Sequence, residues 1–460
     1  LGDVMKASGT AYSLGMDSRK ETGESMAPEQ RSPIIQDITY AAILKDYGPH
    51  ADMTIKKPDS YNPKLFKGCC SLSTVKDSID RIKMLNYGRL PHGKYMINWP
   101  EYGNDIYLNV VEKSEAERTK ELKKAKEHTL SFIYYIQHEL GLKNLGLADD
   151  EFPTADKLPF IPYHREGRRL QGVVLLTINH ILKPYDMPEK LYRTGISVGD
   201  YPIDHHHGQN PHAPHIDFPP VPSFCVPMGA IVPKVTNGLL VTEKGISSTN
   251  IVNGATRLQP CVLLTGQAAG ALAALSVKSN TQPRNISVRK LQNELLNQNA
   301  YLLPLFDIKP ANPYFKAAQK IAATGILKTK GIPYSWANQT WFYPDTTISA
   351  SELTKGLNEY DKHFVREEGQ STPLSVKDAC SILESFIQNC KVSDSILSVN
   401  GIKSSNEGEI IRWAENHWHE ISSVSFNAER NIRKIEVAVL LDKLIDPFNQ
   451  KDVDLTGNFK

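Results

Sequence analysis

The clearest alternation of apolar and polar positions in the chain lies between Ser114 and Leu140. The apolar residues of this stretch share one face of a helix with 3.6 residues per turn, and they are Phe132, Ile133, Ile136 and Leu140. Ser114 and Glu117 have the spacing of a capping box, and Gly141 stands where a glycine often ends a helix. The pattern predicts an amphipathic scaffold helix over residues 114–140.

Shorter patterns predict the elements in the middle of the chain. The apolar runs Val173–Thr177 and Gly238–Val241 are typical of strands, and the second is typical of a buried one. Residues 200–222 hold five His and six Pro, too many prolines for regular structure, which predicts a long loop. A helix is expected over Pro260–Lys278, with the proline in its first turn.

Small residues recur along this last helix. Gly266, Gly270 and Ala274 are spaced four apart, which predicts a stripe that another backbone can approach closely. We therefore expect residues 237–278 to form a strand and then a helix, buried against residues of the first third of the chain. The free N–H groups of the first turn also suit a phosphate or a ring carbonyl that gains negative charge, with tight helix–sheet packing as the alternative.

The last third of the chain has a different pattern. Pro304–Pro313 contains three prolines and is predicted to be a linker. Residues 314–460 alternate helical patterns with polar segments, which predicts a mainly helical unit with few contacts to the N-terminal third. A length of 460 residues agrees with about three domains in all.

Composition excludes several classes of function. Lys and Arg (53) nearly balance Asp and Glu (51), so a net charge of +2 gives no strong attraction to nucleic acid or to an anionic membrane. The most apolar stretch, Val262–Val277, is interrupted by Thr, Gly and Gln, and we predict no membrane span. Six cysteines without a C-x-x-C pair indicate neither a disulfide scaffold nor a zinc site, and no metal is expected.

Local catalytic motifs are absent from the sequence. It contains no G-x-G-x-x-G, Walker A, H-E-x-x-H, G-x-S-x-G or EF-hand pattern. The most specific stretch is Asn237–Ala274, NGLLVTEKGISSTNIVNGATRLQPCVLLTGQAAGALAA. It resembles the C-terminal, flavin-contacting segment of the FAD-dependent oxidoreductase family that is often labelled putative xanthan lyase. The matching pieces are Gly238–Val241, Gly245–Ser247, Arg257 with Pro260, and Gly266–Gly270.

Other segments match the same family in the same order. LGDVMKASG at the start of the sequence is similar to its E-G-D-L-M segment, with Leu1 in place of the acidic residue. His164–Gly172 is similar to its R-E-x-R-R-x-x-G segment, Gly195–His207 to its I-x-x-Y-x-I-D-x-H loop, and Val226–Lys234 to the stretch before the closing strand.

The resemblance implies an α/β (α+β) fold: an incomplete FAD/NAD(P)-binding-type domain with an inserted substrate domain, followed by a mainly α-helical C-terminal domain. The implied divisions are a remnant of the FAD-binding domain (1–30), a substrate or cap domain (31–230), the flavin-closing strand and helix (231–303), the linker (304–313) and the helical domain (314–460). A periplasmic or secreted location is expected from the same resemblance.

The resemblance also implies FAD as the cofactor of the intact family. The glycine-rich turn that would hold the pyrophosphate is absent, so we predict that this chain alone binds FAD poorly or not at all. An N-terminal FAD-binding segment would then be a missing partner, and a degenerate relative is the alternative. Residues 241–244 (VTEK), where the family usually has small residues, favour degeneracy.

Site residues follow from the same matches. Asp204, His206 and Arg165 are candidate catalytic residues, because a His can take a proton and a guanidinium can bind a flavin edge or a substrate carboxylate. The implied cofactor-binding residues are Arg257, Pro260, Gly266, Gln267, Ala268 and Gly270. The alternatives are surface cations for Arg165, Arg168 and Arg169, a polar loop for the histidines, and a structural salt bridge for Arg257.

The C-terminal unit carries a weaker resemblance. Phe315–Leu327 with Phe342–Leu353 is similar to a surface-layer-homology helix pair, and Asn431–Leu444 to a second copy of one helix. An all-α accessory domain is the alternative to glycan attachment. Tryptophans concentrate in this unit, where they suit stacking on sugar rings or core packing; they are Trp336, Trp341, Trp413 and Trp418.

Three functions remain open from the sequence. The first is an FAD-dependent oxidoreductase, or its substrate-facing and flavin-closing part, that transfers hydride from a carbohydrate-like or other polar small molecule or glycan. The second is a non-enzymatic glycan-binding or surface protein on a degenerate flavoprotein scaffold. The third is a polysaccharide (xanthan) lyase.

Overall fold

A computed structural model describes residues 1–67, 69–70, 81–98, 103–367, 371–390 and 408–460. Its α-helices are α1 (Asp3–Ala7), α2 (Arg19–Thr22), α3 (Arg81–Tyr87), α4 (Glu115–His138), α5 (Ile178–Leu182), α6 (Asn250–Thr256), α7 (Gln259–Lys278), α8 (Val288–Asn297), α9 (Phe315–Thr324), α10 (Ala350–Tyr360), α11 (Val376–Asn389), α12 (Glu409–Asn416), α13 (Trp418–Ile421), α14 (Lys434–Leu444) and α15 (Pro447–Gln450). Its strands are β1 (Tyr12–Ser13), β2 (Ile38–Thr39), β3 (Ala42–Asp46), β4 (Arg89–Leu90), β5 (Lys94–Ile97), β6 (Asp105–Ile106), β7 (Leu145–Leu147), β8 (Tyr163–His164), β9 (Arg169–Leu170), β10 (Gly195–Gly199), β11 (Phe224–Pro227), β12 (Lys330–Ile332) and β13 (Gln339–Trp341).

Helices and strands are therefore mixed, as predicted, and all strand pairs of the described residues are antiparallel. A four-stranded sheet has the order β4-β5-β3-β7, and a three-stranded sheet has the order β6-β2-β8. The remaining ladders are the two-stranded pairs β1-β9, β10-β11 and β12-β13.

The first hydrophobic core joins these two larger sheets to α4. The prediction for this helix is confirmed: Ser114 and Glu117 form the capping box, and Gly141 has a φ of +73° just after the helix. The predicted apolar face, with Phe132, Ile133 and Ile136 fully buried, packs against β2 and β6. The helix thus fixes the sheet that carries the candidate site.

A second core runs from residues 174–308 into the C-terminal unit without a break. Leu305 and Ile308 of the predicted linker are buried in it, and Leu305 pairs with Thr340. The expectation that residues 314–460 pack as a separate unit is therefore wrong with respect to residues 174–308. Few residues of the first third contribute to this core: Ala27 is the one fully buried member among those that the structure describes there.

The C-terminal unit contains an internal threefold repeat. The helices α10, α11 and α14 each follow a buried apolar residue, which is Ile348, Leu374 or Ile432. Leu374 N–H donates to the Ile348 carbonyl, and Ile432 N–H donates to the Leu374 carbonyl. The copy that starts at Leu374 was not predicted, although Ser375 and Asp378 repeat the helix-start spacing of Ser349 and Glu352. The resemblance to surface-layer-homology pairs stays a prediction.

Both predicted strands in the middle of the chain are wrong. Gly238–Val241 is irregular and only half-buried, because Gly238 has a φ of +69° and a 3₁₀ turn begins at Glu243. Val173–Thr177 makes only isolated bridges, at Leu176 and at neighbouring Gly172. The predicted loop over 200–222 is confirmed as irregular up to the start of β11.

Helix α7 forms as predicted, with Pro260 in its first turn, but its orientation is the reverse of the expected one. Ala268, Ala269 and Leu272 face the core, whereas Gly266, Gly270 and Ala274 are exposed. The physical reason is that β10 packs on the other side of the helix, so the small-residue stripe has no neighbour in the described structure.

The outer face of α7 is also apolar. Leu263 is 73% exposed and Val277 is 82% exposed. By length and composition α7 is the one described helix that could cross a membrane, and a third of its most apolar 18-residue stretch is buried. One such helix is weak evidence, because core helices meet the same criteria.

Candidate functional site

The three-stranded sheet aligns the first group of polar side chains. Thr39 on β2 pairs directly with Asp105 on β6 and with Tyr163 on β8. Directly paired residues present their side chains on the same face of a sheet. Arg165 follows Tyr163 by two positions and so joins this face. Strands of two residues each thus bring together side chains that are far apart in the sequence.

Arg165 and Asp105 form a buried ion pair on this face. Arg165 Nη2 lies 3.1 Å from Asp105 Oδ1, and its Nη1 donates to the Asp37 carbonyl and to Thr39 Oγ1, both at 2.9 Å. The Thr39 hydroxyl also donates to Asp105 Oδ1. These bonds compensate the burial of both charges and fix the Asp105 carboxylate.

The loop over residues 200–222, which we name the proline-rich loop, brings Asp204 and His206 over the sheet. Its backbone is held by Gln36, whose side-chain oxygen accepts from His206 N–H (3.2 Å) and whose amide nitrogen donates to Asn253 on α6 (3.2 Å). The loop lies so close to α6 that a Cβ on Gly254 would be 2.9 Å from the Asp204 carbonyl oxygen. Gly254 is required for this close approach.

His206 lies between two carboxylates. Its Nδ1 is 2.6 Å from Asp105 Oδ2, and its Nε2 is 3.5 Å from Asp204 Oδ2. Arg257, at the junction between α6 and α7, is 2.8 Å from Asp204 Oδ2. The four groups form one chain of charges, Asp105–His206–Asp204–Arg257.

The interactions among these four side chains favour the charged form of each titrating group. Burial opposes the imidazolium of His206, but hydrogen bonds to Asp105 and Asp204 outweigh it, so the His206 pKa is raised. Burial raises the pKa of Asp204, but His206 and Arg257 together bring it down to about 2. The Asp105 pKa is also lowered, because its bonds to His206 and Arg165 outweigh burial.

Asp37 lies near these four side chains, but its pKa is raised, whereas the pKa values of Asp105 and Asp204 are lowered. Its side chain is fully buried; one carboxylate oxygen accepts from Gln209 N–H at 3.1 Å, and the other has no hydrogen-bond partner in the described part of the chain. Burial, with a smaller contribution from nearby Asp105, raises the pKa of Asp37 to about 7.

A cavity of about 840 Å³, which we name the central cavity, is lined by Arg165, Asp204, His206 and Arg257, whereas Asp105 and Asp37 are not part of its lining. Aromatic and polar side chains dominate its wall, which consists of Thr39, Ala41, Lys83, Tyr87, Met96, Asn98, Tyr163, Arg165, Tyr201, Asp204, His206, Arg257, Leu258, Gln259 and Trp336. A volume of this order is typical of small-molecule sites. A second cavity of about 800 Å³ borders Leu1–Met5 and shares Ala41 and Tyr163 with the first.

The sequence model of the family described as FAD dependent oxidoreductase matches residues 1–295, more than half of the chain. The chain belongs to the FAD-dependent oxidoreductase family. No curated protein and no solved structure matches it. Among the described residues no group of three or more His, Cys, Asp or Glu could hold a metal ion.

Four of the residues predicted from the family resemblance lie together. Asp204, His206, Arg165 and Arg257 all line the central cavity. Arg165, Arg168 and Arg169 are buried, so the surface-cation alternative is wrong for all three. Arg168 pairs with Asp3 and Glu112, and Arg169 pairs with Asp17 and Glu166, which makes these two structural.

The other predicted cofactor residues lie outside the central cavity in this member of the oxidoreductase family. Pro260, Gly266, Gln267 and Gly270 are exposed on α7, and Ala268 is buried in the core. Only the residues at the start of the helix, Leu258 and Gln259, reach the cavity wall. A role for the exposed residues toward FAD stays a prediction.

Sequence reasoning missed Asp105, Thr39, Tyr163 and Asp37. None of them lies in a segment quoted for the family resemblance, although Tyr163 immediately precedes the segment His164–Gly172. The available signal was weak: three short β-prone pieces with polar residues at matching positions. Their pairing is a tertiary property that no local pattern reports.

Proposed function

We propose that this chain is the substrate-facing part of a flavin oxidoreductase that oxidises a hydroxyl group of a carbohydrate-like or other polar organic substrate. The observation that carries the proposal is the series of ion pairs Asp105–His206–Asp204–Arg257, of which His206, Asp204 and Arg257 line the central cavity. A histidine with a fixed orientation and a carboxylate partner is suited to general acid–base work.

His206 acts on the hydroxyl proton in this proposal. Asp105 accepts a hydrogen bond from Nδ1–H, which leaves Nε2 as the ring atom that faces Asp204 and the cavity. At a pH above its raised pKa, His206 is neutral and accepts the substrate proton at Nε2, and Asp105 stabilises the imidazolium that results. Arg257 keeps Asp204 ionised, so Asp204 accepts a hydrogen bond from a neighbouring hydroxyl of the substrate and orients the ring.

The ring end of a flavin fits the residues that are present. Arg257 Nε is buried at the cavity wall without a hydrogen-bond partner among the described residues, and the first turn of α7 begins beside it. A guanidinium N–H and a helix N-terminus suit the carbonyl edge of such a ring. The chemistry that FAD supplies when bound is acceptance of the hydride from the substrate carbon.

The pyrophosphate end has no equivalent cradle in the described residues, whose strand pairs are all antiparallel. The outer face of α7 is apolar and exposed, and it continues through Ala273 and Val277 to Leu240, which also lines the second cavity. Large exposed apolar surfaces mark interaction sites. We propose that a dinucleotide-binding unit covers this face and supplies the phosphate contacts.

Flavin reduction tests the proposal directly. The chain is mixed without oxygen with saturating FAD and a panel of sugars and polyols, and loss of the visible flavin absorbance is followed. Reduction by a hydroxyl substrate is expected, and His206→Gln should slow it by about 10²- to 10⁴-fold. The matched control is His215→Gln, because His215 lies in the same loop but is exposed and, among the described residues, pairs with Asp217 alone.

Two results would contradict the proposal. Equal rates for His206→Gln and His215→Gln would show that His206 moves no proton in the reaction. Tight binding of a glycan with no flavin reduction, when a dinucleotide-binding unit is present, would favour the non-enzymatic binding protein instead.

A further inference from the structure

The C-terminal unit reaches into the central cavity through one hairpin. Strands β12 and β13 pair from Lys330 with Trp341 to Ile332 with Gln339, and residues 333–338 form the loop between them. Trp336, in this loop, lines the cavity that also holds Asp204 and His206. The cavity wall is therefore incomplete without the C-terminal unit.

The loop is held in place against the proline-rich loop. Asn338 is buried; its N–H donates to the Asp200 carbonyl (2.9 Å), and its side-chain oxygen accepts from Tyr334 N–H (2.7 Å). Both bonds restrain the backbone on either side of Trp336. The indole is consequently presented by a fixed loop.

Trp336 is exposed in a way that core packing does not explain. Its side chain is 66% exposed, whereas Trp413 and Trp418 are buried in the core of the C-terminal unit. Its neighbour across the cavity mouth is Tyr201, with ring centroids 5.5 Å apart and planes tilted by 49°. An exposed indole beside a polar cavity is an unusual place for a large apolar ring.

We propose that Trp336 and Tyr201 form an aromatic platform on which a sugar ring of the substrate stacks. A pyranose has one face of C–H groups, which suits an aromatic ring, and hydroxyl groups at its edge, which suit Asp204, Asn98 and Gln259 on the same cavity wall. The inference rests on the proposed function only in treating the central cavity as the substrate site.

Binding of sugars to the full chain without cofactor tests the platform. Cellobiose, maltose and methyl β-glucopyranoside are titrated by calorimetry, and saturation-transfer NMR records which sugar protons contact the protein. Trp336→Ala should weaken binding about three- to tenfold, and Trp336→Phe should recover most of it. The control is Tyr334→Ala, since Tyr334 is 65% exposed in the same loop but does not line the cavity.

Failure of the platform and failure of the oxidoreductase proposal are distinguishable. No binding of any of these sugars, or equal binding by wild type and Trp336→Ala, would overturn the platform even if another alcohol reduces the flavin. Sugar binding that depends on Trp336 would support the platform even if no flavin is reduced. Unchanged melting temperatures would show that the variants are folded.

Discussion

At the scale of single residues, His206 is the group whose behaviour is most open to measurement. Asp204→Asn removes one of its two carboxylate neighbours and retains the side-chain shape. Burial continues to oppose the imidazolium, so we expect the raised pKa of His206 to fall in this variant. An NMR titration of the His206 ring, assigned with His206→Gln, measures the change.

The exposed pair His215 and Asp217 provides the control for this measurement. Asp217→Asn should leave the His206 titration unchanged. A His206 pKa that is the same in wild type and Asp204→Asn would show that the two side chains are not coupled in solution.

Asp37 gives a prediction about stability. In the folded chain its pKa is raised to about 7, whereas an unfolded Asp titrates near 3.8, so the folded state binds the extra proton between these values. Stability should therefore fall as pH rises from about 4 to about 7. Asp37→Asn removes this loss and should stabilise the chain at pH 8, by up to about 4 kcal/mol.

Chemical denaturation at pH 4 and pH 8 checks the sign. The gain of Asp37→Asn over wild type should be near zero at pH 4 and largest at pH 8. A variant that is less stable than wild type at pH 8 would mean that the Asp37 carboxylate is ionised and satisfied in the fold.

At the scale of secondary-structure elements, the close contact between α6 and the proline-rich loop determines the position of Asp204 and His206. Gly254→Ala places a Cβ 2.9 Å from the Asp204 carbonyl oxygen and closer still to the half-buried His205 ring. The loop must shift, so flavin reduction should fall by about tenfold or more while the helix itself remains. Rates and circular dichroism of the same sample separate the two effects.

Two other glycines serve as matched controls for this substitution. Gly266 and Gly270 lie on α7 with open space around their Cβ positions. Alanine there should stabilise the chain by about 0.5–1 kcal/mol through helix propensity. A Gly254→Ala variant with wild-type activity would show that the loop does not depend on this close approach.

The elements that could be predicted from sequence are those whose cause is local. Helix α4 carries its own cap, apolar face and terminal glycine, and α7 carries a first-turn proline, so both were found. The orientation of α7 could not be found, because small residues suit close packing on either side of a helix. Gly238–Val241 has the composition of a strand but no neighbouring strand to pair with.

The candidate site likewise contains residues that a local sequence pattern predicts and residues that only tertiary contacts bring there. Asp204 and His206 share one short segment with a family pattern, and Arg165 and Arg257 lie in two others. Asp105, which holds His206 from the opposite side, is contributed by a two-residue strand with no pattern of its own. The sequence does not distinguish Trp336 from the other tryptophans of the C-terminal unit, whereas the structure places it at the central cavity.

At the scale of the whole molecule, the proposed function makes a prediction about FAD binding by the isolated chain. In that proposal Arg257 and the start of α7 contact the flavin ring, whereas the described residues provide no phosphate cradle. Loss of several hydrogen bonds to charged groups, at roughly 1.5–3 kcal/mol each, should leave the isolated chain with a dissociation constant above about 10 μM. Calorimetric titration of the chain with FAD measures this constant.

A control titration uses Leu263→Asp with Val277→Asp on the exposed face of α7. This variant should bind FAD as weakly as wild type, since in the proposed function this face contacts a dinucleotide-binding unit and not the flavin ring. A submicromolar constant for the wild-type chain would show that its own residues hold the phosphates.

The contacts of Arg193 with residues 457–459 have a consequence for synthesis of the protein. Arg193 donates to the Gly457 carbonyl, 264 residues further along, and its guanidinium covers the ring of Phe459 at 4.1 Å. At ribosomal rates of 5–20 residues per second, Arg193 emerges roughly 10–50 s before its partners exist. The interior around Arg193 therefore stays incomplete until residues 457–459 are made, and a chaperone that shields nascent apolar segments should engage residues 174–308 during that interval.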